Sequence, residues 1–372
     1  MTEQFAVWTE NDAEQSARWG STSNAPAPKR IVVADDTMKA DDAYRLACEG
    51  TALLWRGDFQ NARQLTKAVA SRIDRKPRRA SDDPAKAFHL HRQTQGRRAQ
   101  ILGMLLIPLD ADLSIPLRRA PDAQIALTEA FGITGEPSVR SLRDILGAIG
   151  AHEWHRKGVF IEALDARIHP AFGVFSPVRG EYVDLVASAP LPSTDSAFDI
   201  GTGTGVLAAV LARRGVKTVT ATDQDARALQ CARTNLSRLG YGDQVNVVEA
   251  DLFPEGTAPL VVCNPPWIPA KATSPIEYAV YDPAGAMLKG FLTGVAAHLD
   301  DGGEAWLILS DIAEHLGLRT RSELHDLMAA GGLTVVDRMD VKPTHAKVSD
   351  RTDALHAARA RETTSLWRLR RR

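Results

Sequence analysis

A chain of 372 residues, 44% hydrophobic and 24% charged, is long enough for two ordinary domains and too apolar to be disordered or fibrous. Its formal net charge of −1 excludes a globally basic surface for a polyanion, so any basic patch must be local. The cysteines Cys48, Cys231 and Cys263 lie too far apart for a CxxC or Cys/His metal pattern and suit a reducing compartment.

No apolar run approaches the roughly 18 to 20 residues that span a bilayer. The N-terminus has no basic segment followed by an apolar core. The expectation is a cytoplasmic protein without membrane or metal partners.

Residues 1–30 are polar and close on "GSTSNAPAPKR", which predicts a flexible tail. Over 38–75, Leu46, Leu53, Leu54, Leu65, Val69 and Ile73 recur at helical spacing and predict two helices broken near Gly57. More helix is expected from about Pro84 to Leu106 and through "APDAQIALTEAF". Residues 31–157 therefore read as a mostly helical domain for substrate recognition or as a lid. "HEWH" at 152–155 lacks the spacing of the HExxH zinc motif.

From Gly158 the pattern changes. "KGVFIEALDARIHPAFGVFSP" alternates apolar and polar residues, and predicts a β-hairpin and linker over 158–190. Residues 191–372 then alternate strands and helices. Strands are expected at 197–201, 217–223, 245–250, 259–264, 304–310, 333–340 and 363–370, with helices near 204–214, 225–239, 283–299 and 317–330. This is an α/β fold: a Rossmann-like seven-stranded sheet, its last strand antiparallel because it follows a strand with only a polar loop between.

The first of these strands runs into "FDIGTGTGVLAAVLARRG". Gly201, Gly203 and Gly205, with Thr202 between, let the backbone turn sharply and a ligand approach without meeting a Cβ. The helix that follows offers unpaired N–H groups. A tight structural turn would use the same glycines. Strand two ends at Asp223, about twenty residues on, where an acid accepts from both hydroxyls of a ribose. Strand three ends in "VEADLF", where Asp251 suits an adenine amine and the Leu252 N–H a ring nitrogen. Together the strand ends shape an adenosine site. Val206 stands where a dinucleotide fingerprint wants its third glycine, which disfavours NAD.

Strand four leaves the core as "LVVCNPPW". Asn264 offers a side-chain carbonyl, and Pro265 and Pro266 supply carbonyls but no N–H. Trp267 adds a flat face for a planar group. An acceptor-only cradle of this kind holds both N–H bonds of a planar –NH₂ and favours the cationic nitrogen of a methyl-transfer transition state.

These motifs resemble the class I S-adenosylmethionine-dependent methyltransferases, and among them the small-domain N-methyltransferases. That group includes the HemK-type protein-glutamine enzymes and the ribosomal-RNA guanine-N2 enzymes. The resemblance covers about 158–372 and rests on "DIGTGTG", Asp223, "EADLF" and "NPPW". It implies S-adenosylmethionine as cofactor. Asp199, Gly201, Thr202, Gly203 and Gly205 would hold the methionine part, Asp223 the ribose, and Asp251 with Leu252 the adenine. Asn264, Pro265, Pro266 and Trp267 would bind the target nitrogen, with Asn264 beside the methyl donor.

Two stretches lean toward the HemK-like branch. They are the predicted hairpin with the segment after it, and "YAVYDPAGAML", similar to a Glu-Pro-x-x-Ala-Leu segment. Here Ser176-Pro177-Val178-Arg179 replaces the usual Pro-Arg pair, and Asp282 replaces Glu. By the same resemblance Phe175 and Arg179 close over the cofactor, while Tyr278 and Tyr281 are placed to wall the acceptor pocket. The acceptor is expected to be a protein glutamine-type amide. Alternatives are an RNA base (guanine-N2 or adenine-N6), favoured by "RIDRKPRRA", "HRQTQGRRAQ", Arg118 and Arg119, or a small molecule. A non-catalytic binding module is disfavoured by the intact glycine and Asn-Pro-Pro-Trp motifs.

Overall fold

Asn11 and Asp12 both adopt left-handed backbone, φ 52° and 60°, in the computed structural model of the chain. They close a two-residue hairpin between strands β1 (Phe5–Glu10) and β2 (Ala13–Gly20). That conformation matches the twist of paired strands and is tolerated by Asn and Asp. Along β1, Ala6 and Trp8 point into the core while Phe5 and Val7 are exposed, a period-two pattern. The expected flexible tail is thus corrected: much of residues 1–30 is a hairpin. The structure describes residues 4–75, 81–272, 275–343 and 355–372. It forms two compact units, Met1–Glu153 and Trp154–Arg372.

In the first unit, β3 (Arg30–Ala34) leads through α1 (Ala40–Cys48) to β4 (Thr51–Trp55). Then come α2 (Phe59–Asp74), α3 (Pro84–Leu102), β5 (Leu105–Leu109), α4 (Gln124–Phe131), β6 (Ser138–Ser141) and α5 (Leu142–Lys157). The strands make one six-stranded sheet in the order β1-β2-β6-β5-β4-β3. A mostly helical domain was expected, and the sheet corrects it. "TALLW" supplies every residue of β4 and all five are buried. A run this short, apolar on both faces, behaves as a central parallel strand rather than a helical stripe. Gly50, at φ 80°, ends α1 before it, and Gly57 has no room for a Cβ against Asp36.

The second unit opens with β7 (Val159–Ile161) and β8 (Ala166–Ile168), an antiparallel pair turned at Asp165, as the sequence predicts. There follow α6 (Glu181–Ser188), β9 (Ser196–Ile200), α7 (Val206–Arg213), β10 (Thr218–Asp223) and α8 (Ala226–Arg238). Next are β11 (Val245–Glu249), β12 (Ala258–Cys263), α9 (Ala286–Gly294), β13 (Leu299–Ser310), α10 (Ile312–His315) and α11 (Arg321–Ala330). The chain ends with β14 (Leu333–Val341), α12 (His356–Arg359) and β15 (Thr364–Arg371). Thr320 starts α11 with a capping box to Glu323.

The seven strands order as β11-β10-β9-β12-β13-β15-β14. Those from β11 to β13 are parallel, and β15 inserts antiparallel between β13 and β14. Alternation splits the core between the two faces. Leu260, Val262, Trp306 and Ile308 pack with α7, whereas Val261, Cys263, Leu307 and Leu309 pack with α9 and α11. Strand order reverses between β9 and β12, so the carboxyl ends of β9, β10 and β12 border the crevice where open α/β sheets bind ligands.

Candidate active site

After β9 the chain turns through Gly201, Gly203 and Gly205 at φ 70°, 56° and 80°, conformations that favour glycine. The carboxyl end of the neighbouring strand β10 holds this loop. Thr202 N donates to Thr222 O at 2.8 Å, and Gly203 N donates to Asp223 Oδ2 at 3.0 Å. Asp199, 1% exposed, accepts from Thr202 Oγ1 at 2.6 Å and from Ala208 N at 3.1 Å. Burial raises its pKa to about 6 against those two hydrogen bonds. Gly205 lies where a Cβ would sit 3.3 Å from Ala232 and Leu236 of α8, and Gly203 borders open space.

Asp223 receives Gly203 N on one oxygen and Asp225 N, at 3.0 Å, on the other. Burial pushes its pKa up, opposed by those backbone donors. At the next strand end Asp251 is exposed and accepts from Gln224 Nε2 at 2.6 Å. Leu252 takes left-handed backbone, φ 70°, and its carbonyl accepts from Thr222 Oγ1 at 2.6 Å. Glycine turn, Asp223 and Asp251 are thereby linked at one edge of the sheet.

Beyond the buried Cys263, the Asn-Pro-Pro-Trp turn places Asn264 half-buried and Pro265 buried. Trp267 Nε1 donates to Asn264 Oδ1 at 2.9 Å. Residues 277–282 fold back beside the turn, with Ile268 bridged to Tyr281 and Asp282 N donating to Ile268 O at 2.9 Å. Tyr281 is half-buried, whereas Tyr278 is 62% exposed. Asp282 accepts from Met287 N and Leu288 N, both at 3.0 Å, and so satisfies free donors of the first turn of α9. That capping role explains an acid before Pro283.

Arg179 lies over the Trp267 ring, its guanidinium carbon 4.9 Å from the ring centroid. Its Nε donates to Glu181 at 2.8 Å and its Nη2 to Glu362 Oε1 at 3.0 Å. Ser310 Oγ, at the end of β13, donates to the same Glu362 oxygen at 2.7 Å. Phe175 is half-buried four residues before Arg179. Sequence reasoning missed Glu362, Ser310 and Asn235. Asn235 Oδ1 accepts from His169 N at 2.9 Å, while Nδ2 donates to His169 O at 3.2 Å and Thr204 O at 3.1 Å, tying hairpin to glycine loop. An asparagine among the apolar positions of α8 was the available signal.

Four of the arginines singled out in the first unit, Arg72, Arg98, Arg118 and Arg119, are paired with acids. Arg72 bonds Asp41 at 2.5 Å, Arg98 bonds Asp74 at 3.1 Å, and Arg118 and Arg119 both bond the buried Asp58. Residues 76–80, which hold much of "RKPRRA", lie outside the described residues. Among the described residues no group of three or more His, Cys, Asp or Glu is placed to hold a metal ion. No helix among them is long and apolar enough to cross a membrane.

Strand order, antiparallel insertion and a glycine turn at the reversal point together define the class I methyltransferase fold. The family model "Methyltransferase small domain" matches residues 166–329. The chain is 32% identical over 174 residues to the tRNA1(Val) (adenine(37)-N6)-methyltransferase of Shewanella amazonensis, covering 41% of this chain and 72% of that protein. It is 33% identical over 129 residues to the release factor glutamine methyltransferase of Rhodopirellula baltica, covering 30% of this chain and 44% of that one. A solved methyltransferase from Pyrococcus furiosus aligns at 20% identity and a TM-score of 0.38, covering 54% of this chain and 91% of its own. The chain belongs to the small-domain family of S-adenosylmethionine-dependent methyltransferases. Its match spans under half the length of the release-factor relative.

Proposed function

We propose that this chain is an S-adenosylmethionine-dependent N-methyltransferase acting on a planar amide nitrogen, of the protein-glutamine type. The observation that carries the reading is the strand-end arrangement. A glycine turn pinned to Asp223 lies one strand from an Asn-Pro-Pro-Trp turn whose Asn264 oxygen is held in place.

The residues present fit the cofactor. Gly203 leaves open space beside the loop, and each Asp223 oxygen spends one lone pair on a backbone N–H and keeps capacity for a ribose hydroxyl. S-adenosylmethionine, when bound, supplies an electrophilic methyl group on a sulfonium. Asn264 Oδ1 and the Pro265 carbonyl accept the two N–H bonds of the acceptor and orient its lone pair toward that methyl. With the donor bound, this acceptor nitrogen would take the methyl carbon, the donor's sulfur would keep the electron pair of the broken carbon–sulfur bond, and one N–H proton would leave to water. Two acceptors favour the cationic nitrogen over the neutral amide, so no strong base is required.

The name of the release-factor relative supports a glutamine amide, and the pairing of Arg72, Arg98, Arg118 and Arg119 with acids leaves those four less free for an RNA backbone. A second reading, adenine-N6 methylation of tRNA, draws on the relative that is matched over 72% of its length. The test is transfer of labelled methyl from S-adenosylmethionine to purified release factors and, in parallel, to bulk tRNA. Label in the release factor alone supports the first reading, label in tRNA alone replaces it with the second, and absence of label from both overturns both.

A further inference from the structure

Glu362 is 1% exposed, and only one of its carboxylate oxygens is used. Oε1 accepts from Arg179 and Ser310, while Oε2 is buried with no hydrogen-bond partner among the described residues. A buried carboxylate oxygen left unpaired bears its full desolvation penalty, and native proteins keep few such groups without a functional reason. Its location supplies one. Arg179 bonds Oε1 of Glu362 and lies over the Trp267 ring, so its guanidinium links this carboxylate to the Asn-Pro-Pro-Trp turn. Thr364 Oγ1, two residues along, is also buried and unpartnered, as is Ser176 Oγ on the segment leading to Arg179.

The charges indicate what the oxygen takes. Two buried carboxylates, Glu181 and Glu362, share the single guanidinium of Arg179, and the Lys342 ammonium nearby bonds the Glu362 backbone carbonyl at 3.3 Å, not its carboxylate. An anionic group such as a phosphate is disfavoured against the two carboxylates; a cationic N–H donor supplies the missing hydrogen bond in its charge-assisted form. The aromatic face already holds one planar cation. We propose that Glu362 is a specificity-determining residue that receives a cationic N–H group, guanidinium or ammonium, of the methyl acceptor. The assignment rests on the methyl-transfer reading for its role, because Trp267 belongs to the proposed acceptor turn. Arg179, with its side chain 19% exposed, is the most exposed member of this ion-paired network.

Binding, rather than turnover, tests this. The full chain saturated with S-adenosylhomocysteine is titrated with agmatine and, separately, with inorganic phosphate. The Trp267 indole N–H resonance is followed, assigned by its loss in Trp267→Phe. The expected result is a saturable shift with agmatine, none with phosphate, and agmatine binding about tenfold weaker in Glu362→Gln at unchanged S-adenosylhomocysteine affinity. No saturable shift in the wild-type chain overturns the proposal without any variant. Equal agmatine affinity in Glu362→Gln, or a phosphate response in place of the agmatine one, overturns it as well. Glu362-dependent agmatine binding without detectable methyl transfer keeps the subsite and removes the methyl-transfer reading. Undiminished methylation of a release factor by Glu362→Gln does the reverse.

Discussion

Trp267 Nε1 donates to Asn264 Oδ1 at 2.9 Å across the turn that both residues belong to. An indole N–H can only donate, so the bond fixes which end of the amide is oxygen and where it points. A carbonyl oxygen has two lone pairs, and one stays available to an acceptor N–H. The ring therefore restrains the asparagine oxygen, while one of its faces holds Arg179.

Removing the donor without removing the ring isolates that restraining role. Trp267→Phe should lower kcat about tenfold with the cofactor Kd unchanged, because one hydrogen bond no longer restrains Asn264. Asn264→Ala should lower kcat roughly 10²- to 10³-fold, the loss typical of a transition-state hydrogen-bonding group. Single-turnover rates and calorimetric titration with S-adenosylhomocysteine check both. Equal loss of cofactor affinity in Asn264→Ala would contradict the assigned role.

Asp223 should behave in the opposite way. Its carboxylate ties the glycine loop through Gly203 N, and it keeps acceptor capacity for the ribose hydroxyls of the proposed site. Asp223→Ala should weaken S-adenosylmethionine binding about 10- to 100-fold, the range for lost hydrogen bonds to a charged group. At saturating cofactor much of kcat should return. A kcat defect that persists at saturation, with Kd unchanged, would remove Asp223 from the cofactor site.

The second unit was legible because its buried runs are short, apolar and separated by clear turn signals. The strand "LVVC" splits its side chains between two cores, as its sequence implies. The first unit was obscured because Leu53 and Leu54 of "TALLW" fall in phase with the helical patterns on both sides, so a strand passed as helix. The Asn11-Asp12 turn carries a recognisable signal, but a polar neighbourhood hid it. Glu362 could not be found from the chain at all. It reaches Ser310 and Arg179 only because β15 inserts beside β13, a pairing that local pattern does not encode.

Asn235 offers a test of loop positioning away from the ligand. Its Nδ2 donates to Thr204 O in the glycine turn and to His169 O beyond the hairpin. Asn235→Asp puts a charged acceptor against two carbonyls. The expected result is a cofactor Kd raised roughly tenfold and a thermal midpoint that recovers toward wild type when S-adenosylhomocysteine saturates the protein. A lowered midpoint with unaltered Kd would make Asn235 a packing residue only.

Asp199 gives a pH signature. Its ordinary value of 3.8 rises to about 6 in the folded protein, chiefly through burial. The native state thus holds a proton that the unfolded chain has already released. The associated stability is present below pH 3.8 and is lost as pH rises through about 6. At 1.36 kcal/mol per unit the change is on the order of 3 kcal/mol. Asp199→Asn keeps an oxygen for Thr202 Oγ1 and Ala208 N but has no proton to lose. Urea denaturation of both proteins should then show wild-type stability falling relative to the variant between pH 4 and pH 7, and the difference levelling above that. Parallel profiles across this window would mean that Asp199 is ionised in the native state throughout. The glycine turn would then be held by a charged carboxylate and not by one that titrates within it.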